Sequence, residues 1–182
     1  MGSYHCVRMD RDVRLSPRCE ICGDVSIGAG SSVFSGSQIR GDMAPVSIGS
    51  RTNVQENCVL HVSHGAPLRI GDDVTIGHGA TVHGCKVDDN VLVGMGSIIL
   101  DGAHISSHSV VAAGALVTGG KEFPPKSMIM GSPARAVREL SDDEVEELIS
   151  RPAASYVAVS ASMLAEGLML EPGTGDDIWP RS

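Results

Sequence analysis

A chain of 182 residues with one Trp, two Tyr and two Phe but 22 glycines cannot build its core on large rings, so its apolar content must pack through Val, Ile, Leu and Ala. A formal net charge of −8 argues against a nucleic-acid groove or an anionic membrane surface as partner. No run of about 18 apolar residues occurs, no basic-then-apolar leader starts the chain and the cysteines are odd in number, so the expectation is a soluble, cytoplasmic protein with reduced thiols.

From Ile21 onward an aliphatic residue returns at every sixth position. The series runs Ile21, Ile27, Val33, Ile39, then Ile48, Val54, Leu60, then Ile70, Ile76, Val82, then Val87, Val93, Ile99, Ile105, Val111, Val117. Two positions earlier the residue is mostly small, as at Ser31, Ser37, Thr52, Cys58, Ala80, Cys85 and Ser97. An α-helix cannot hold this stripe, because six steps turn it by about 600°. Short strands joined by tight turns can, with the aliphatic residue pointing inward. If three such hexads close one turn, the series makes an all-β solenoid of about five coils. The step is longer between Ile39 and Ile48 ("RGDMAPVS") and between Leu60 and Ile70 ("HVSHGAPLR"), and one residue short between Val82 and Val87. The two insertions are expected to bulge from corners and to build a binding face.

Beyond residue 120 the pattern changes. "EFPPKSMIMGSPAR" reads as a crossing segment, and "SDDEVEEL" opens with a capping box, Ser141 with Glu144. Helical spacing predicts α-helices over about 141–150 and 153–167, separated at Pro152. The organisation expected is a solenoid with an N-terminal lead-in over 1–120, a crossing segment and helices over 121–168, and a flexible tail over 169–182.

Hexads three apart share a face, one strand spacing of about 4.8 Å apart. His61 follows Leu60 and His83 follows Val82, so the two should stand one above the other, pointing outward, in a column with Arg40. His78 lies two past Ile76, on the adjacent face, and points around a corner where it could serve a neighbouring chain. Three imidazoles with one open position suit a catalytic metal. Two from one chain and one from the next would put the ion at an interface, and three such interfaces close a trimer.

The segments "RGDMAPVSIGSRTNVQENCVLH", "IGDDVTIGHGATVHGC" and "VLVGMGSIILDGAHI" resemble the γ-class carbonic anhydrase family, over roughly residues 10–140. The resemblance implies a hexapeptide-repeat protein, a left-handed parallel β-helix of triangular section, assembled as a homotrimer. It implies metal ligands at His61, His78 and His83, holding Zn2+, with Fe2+ and Co2+ as ions that imidazole also accepts. The activity implied is the reversible hydration of carbon dioxide to bicarbonate by metal-activated water. Arg40 and Asp42 match the family's arginine–aspartate pair, which supports the site and the trimer contact. Gln55 matches the glutamine that orients water or bicarbonate, Asn53 the nearby asparagine, and Tyr156 a tyrosine of the C-terminal helix.

The chain departs from the family pattern in three places. Glu56 stands where aspartate is usual, Ala158 stands where the archetype has asparagine, and the loop with the proton-shuttling glutamate is absent. His64, in the second insertion, is a candidate replacement relay or a solvated loop residue. The resemblance therefore supports metal binding more directly than turnover. Two other classes stay open: a CoA-dependent hexapeptide acyltransferase using one histidine as general base, and a metal-binding or assembly protein without turnover. Cys19 and Cys22 lack the partner pair of a zinc site, and the Arg40–Asp42 tripeptide and the turn Gly131–Arg135 read as structural.

Overall fold

The computed structural model describes residues 6–172. Its architecture is a parallel β-solenoid with a C-terminal helix. Three inward-pointing ladders form the core, each built by backbone pairing of one coil with the next. One stacks Ile21, Ile39, Leu60, Val82, Ile99 and Val117. The second stacks Ile27, Ile48, Ile70, Val87, Ile105 and Phe123. The third stacks Leu15, Val33, Val54, Ile76, Val93, Val111 and Ile129. Every aliphatic position in the six-residue series is at most 4% exposed. The small positions are buried too, and their hydroxyls tie coil to coil: Ser31 Oγ donates to the Gly49 carbonyl at 2.7 Å and Thr52 Oγ1 to that of Gly71 at 2.8 Å.

The solenoid makes about seven turns, not five. The six-residue step already runs from Leu15 to Ile21, and it continues past Val117 through Phe123 to Ile129. A ring takes an aliphatic place at Phe123, and Pro124 and Pro125 fall at the following turn, which hides the repeat. The strand Ser127–Gly131 therefore belongs to the solenoid, beyond the boundary expected at residue 120. It then pairs antiparallel with Ala134–Glu139.

The first insertion bulges at a corner, as expected, without ending its strand. It lies within one continuous strand, Gln38–Ile48, which pairs with Val59–His61 at one end and Leu68–Ile70 at the other. Its neighbour Glu20–Ile27 takes the same corner with a register shift between Gly23 and Val25, so residues 42–45 bulge out of the pairing that Gly41 ends and Val46 resumes. The second insertion is a tight turn, closed by Ala66 N–H donating to the Ser63 carbonyl at 3.0 Å, with His64 exposed at its tip.

The expected break at Pro152 is also absent. Helical segments Asp142–Val145, Glu146–Ser150 and Arg151–Ala165 follow without a gap. Arg151 N–H reaches back five residues to the Glu146 carbonyl, a π-helical turn. Pro152 then falls at the start of the next segment, where its missing N–H costs little. This helix lies against Arg14–Leu15, Ser32–Val33 and Asn53–Val54. Arg14 pins it, donating to the Val157 carbonyl at 3.3 Å and to Ser160 Oγ at 3.2 Å. Of the segment expected as tail, Met169 is buried and Leu170 exchanges two 2.8 Å backbone bonds with Leu15. Residues 173–182 lie outside the described residues. No described helix is long and apolar enough to cross a membrane.

The capping box at Ser141 forms as expected. The Arg138 guanidinium, then the Ser141 backbone N–H, hold the Glu144 carboxyl down to about 2 from its ordinary 4.5. A depressed carboxylate stabilises the fold above its unfolded value, and that contribution is lost as pH falls through the folded value. Glu144→Gln is therefore expected to weaken amide-exchange protection in the first helical turn at neutral pH. It should also flatten the acid-induced loss of protection that the parent shows between pH 4.5 and about 2. A parental pH profile in the variant would show that the cap carries none of it.

Candidate functional site

Two clusters of polar side chains stand out, on one face and at one corner. The face cluster follows from the register, which sets Cys22 opposite Arg40 and His61 opposite His83. With Arg40 one residue past the paired Ile39 and Leu60, the four form an outward column along a shallow groove shared with Glu20, Gln38 and Val59. The two imidazoles meet edge to face, with centroids 4.9 Å apart. His61 Nδ1 and His83 Nε2 share a hydrogen bond of 3.0 Å. The outer nitrogens face carboxylates: His61 Nε2 lies 3.0 Å from Asp42 Oδ1, and His83 Nδ1 bonds Asp101 Oδ1. Arg40 pairs with the same Asp42.

This geometry has a proton requirement. Carboxylates only accept, so each outer nitrogen must carry a hydrogen, and the ring-to-ring bond needs another. Two neutral imidazoles hold one hydrogen fewer than that. The pair, with an aspartate at each end, is built around one positive charge. The carboxylates are themselves held ready. Desolvation works to raise Asp42, but bonds from His61 and the backbone, with the Arg40 charge, hold it below the usual range. Desolvation likewise opposes Asp101, which bonds from His83 and Ser63 hold low.

Asp101 was not foreseen from sequence. The register sets it opposite Gly84, one coil on, and it reaches the His83 ring from one place along the coil. Gly84 is the signal that could have revealed it. Its φ of +51° disfavours a side chain, and a Cβ there would sit 2.6 Å from Asp101 Oδ1.

The corner cluster centres on His78. Its Nδ1 lies 2.7 Å from Glu56 Oε2, and its backbone N–H donates to Gln55 Oε1 at 3.2 Å. Gln55 Nε2 donates to Asn53 Oδ1 at 3.1 Å, and Asn53 Nδ2 to Thr75 Oγ1 at 2.9 Å. Gln55 and Asn53 are buried, so this chain fixes the His78 turn from beneath. Tyr156 arrives from the helix, packing edge-on against Phe34 at 5.7 Å. Burial, then the charge of Glu56, push its hydroxyl above the usual tyrosine value.

The structure thus joins Arg40, Asp42, His61 and His83 in one cluster and Asn53, Gln55, Glu56, His78 and Tyr156 in the other. It does not join the two. Among the described residues no three His, Cys, Asp or Glu side chains of one chain converge as a metal cage. Cys19 is buried while Cys22 faces the groove, so the pair cannot chelate together.

Comparison with known proteins bears directly on this arrangement. The model of the hexapeptide repeat of succinyl-transferase matches residues 67–101 and 85–119. A Methanocaldococcus jannaschii protein named probable carbonic anhydrase is 46% identical over 155 residues, covering 85% of this chain and 97% of that protein. The chain belongs to the γ-class carbonic anhydrase family. The mitochondrial γ carbonic anhydrase 2 of Arabidopsis thaliana is 42% identical over 155 residues, covering 82% of this chain. The chain spans 55% of that relative's length. In fold it is similar to a Bacillus cereus protein provisionally named an acetyltransferase, with a TM-score of 0.86, 38% identity and coverage of 88% of this chain and 92% of that one.

Members of this family are metal-dependent. The donor set here fits such an ion. Two facing imidazoles, each backed by a carboxylate that fixes its orientation, present ring nitrogens where the structure already calls for positive charge.

Gly84→Ala tests the support beneath His83. It is expected to displace Asp101 and, through the left-handed backbone, to destabilise by upwards of about 1 kcal/mol, while circular dichroism still shows a solenoid. Nitrogen NMR shifts of the His83 ring should change with it. Parental shifts would mean that Asp101 does not set the ring.

Proposed function

We propose that this protein hydrates carbon dioxide reversibly at a Zn2+ ion shared between subunits of a homotrimer. The reading rests on one observation above all: His61 and His83 face each other between two aspartates, while His78 is held rigidly at a different corner of the same chain. A third ligand for the pair must then come from another copy, and a closed ring of three gives every copy the same role. The free cysteines of the described chain suit a reducing compartment such as the cytoplasm.

An ion bound there would supply Lewis acidity, letting water ionise near neutral pH. The chain's own residues supply the rest. Asp42 and Asp101 accept from the outer ring nitrogens and so turn the inner ones toward the ion. Glu56 does the same for His78, its longer side chain spanning the gap between coils. Gln55 and Asn53 hold the His78 turn in place. Arg40 compensates Asp42 and offers a cationic face to an anionic product. Tyr156, kept protonated by its surroundings, is a donor beside Glu56.

The likeness to the Bacillus cereus protein supports a second reading, transfer of an acyl group from CoA with one histidine as general base. Metal content separates the two readings, and carbon dioxide hydration by the loaded protein separates an enzyme from a metal-binding assembly protein.

Subunit mixing tests the shared site. His83→Ala and His78→Ala homotrimers should each bind almost no metal while keeping their fold. In mixed trimers one interface of the three is intact, so random association should recover about a quarter of parental metal content. No recovery on mixing, or full metal in either homotrimer, would refute a site shared in this way.

Proton export gives a separate test. His64 is exposed at the tip of the turn that leads out of His61, where an imidazole can hand a proton on to buffer. His64→Ala should lower kcat several-fold in dilute buffer, with metal content and kcat/KM nearly unchanged and partial rescue by added imidazole. Loss of metal would instead make His64 part of the ligand support.

A further inference from the structure

Resting on the shared site above, we propose that Ser63 is a positioning residue: its hydroxyl anchors the Asp101 carboxylate, and Asp101 in turn fixes the His83 ring for the ion. The second insertion is then a clamp on the site, apart from any proton that His64 carries at its tip.

The two aspartates that back the imidazoles are held differently. The Asp42 side chain is 9% exposed, and the Arg40 guanidinium pairs with it. The Asp101 side chain is 42% exposed, and no arginine or lysine among the described residues pairs with it. A carboxylate this open to water, held only by its own backbone, would swing about its side-chain torsions. The bond to His83 Nδ1 would swing with it, and an orienting partner that moves orients nothing.

The coil register brings in a second anchor. His61 pairs with His83 at an offset of 22 residues, but Arg69 pairs with Lys86 at an offset of 17. The surplus chain between them has no partner in the next coil and lies over it. It is fixed at both ends, because Val62 at its entry and Leu68 past its exit are fully buried. Ala66 N–H closes it on the Ser63 carbonyl at 3.0 Å. Gly84 runs alongside, donating to the His61 carbonyl at 2.9 Å and accepting from Gly102 N–H at 2.8 Å. A Cβ on Gly84 would meet Asp101 Oδ1 at 2.6 Å and Ala66 Cβ at 3.1 Å, so the insertion and the carboxylate close over the same glycine. There the Ser63 hydroxyl donates to Asp101, beside the bond from His83.

A hydroxyl suits this place. It fixes the carboxylate with one hydrogen bond and brings no charge. A lysine would answer the carboxylate and weaken the pull for positive charge between the two rings.

The metal-free protein isolates the clamp. There Ser63→Ala should change the nitrogen NMR shifts of the His83 ring, while Ser63→Thr, which keeps the hydroxyl, should leave them parental. Asp101→Ala should change them as well, and adding Ser63→Ala to it should change nothing further, because Ser63 acts only through the carboxylate. With zinc loaded, Ser63→Ala should release the ion to a chelator roughly tenfold faster, with amide protection along the Leu60–Val82 ladder unchanged. Parental ring shifts in metal-free Ser63→Ala, or a further change on top of Asp101→Ala, overturn the clamp. Altered shifts with parental zinc release overturn its link to the ion. A parent that binds no zinc, with the metal-free results as expected, overturns the shared site and upholds the clamp.

Discussion

Backbone pairing between successive coils is the constraint on which everything else in this molecule depends. Each turn must return to the same place one strand spacing higher, or its N–H and C=O groups go unpaired in the interior. Once that is met, every residue acquires a fixed neighbour in the next coil. Val82 over Leu60 fills the core; the same step puts His83 over His61 on the surface. The site is thus a by-product of the ladder that folds the chain. Irregular coils obey the same demand, as the strand Gln38–Ile48 shows by bulging its extra residues out at a corner and resuming the pairing at Val46.

The electrostatics of the face cluster run against ordinary surface design. Two aspartates are held ionised beside two imidazoles that cannot satisfy all their bonds while neutral. A structural surface would relieve this with a lysine or by separating the groups. Here Arg40 answers only Asp42, and the charge demand between the rings remains. The corner cluster shows the complementary strategy, with His78 set on buried amides that leave its turn little freedom. One cluster is charged and waiting, and the other is rigid and presented outward, a division that suits two halves of one site.

The fold was legible because its period is carried by residues of one kind. Leu15, Phe123 and Ile129 escaped because a ring, a proline pair and an early start broke the visible monotony while the six-residue step went on. The column of Arg40, His61 and His83 could be read because register in a solenoid is arithmetic. Asp101 could not, since the register sets it opposite Gly84 and it reaches the His83 ring from one place along the coil. Pro152 misled for a different reason: proline breaks an α-helical ladder, but a π-helical turn just before it absorbs the mismatch. That His78 stands on a different corner from His61 and His83 was readable from its place in the repeat, and the bonds that hold it there needed the structure.

The alternation of inward and outward side chains has a consequence for how such a chain can change over time. Residues that decide whether the coils stack point in, and residues that decide what the surface does point out, with almost none doing both. An outward histidine can be exchanged without opening the aliphatic ladder beneath it, and a new one can arise wherever a neighbouring coil supplies company. Chemistry on this scaffold is therefore free to drift while the architecture stands still. A solenoid likeness between proteins that bear the names of an anhydrase and an acetyltransferase is what such independence would leave behind.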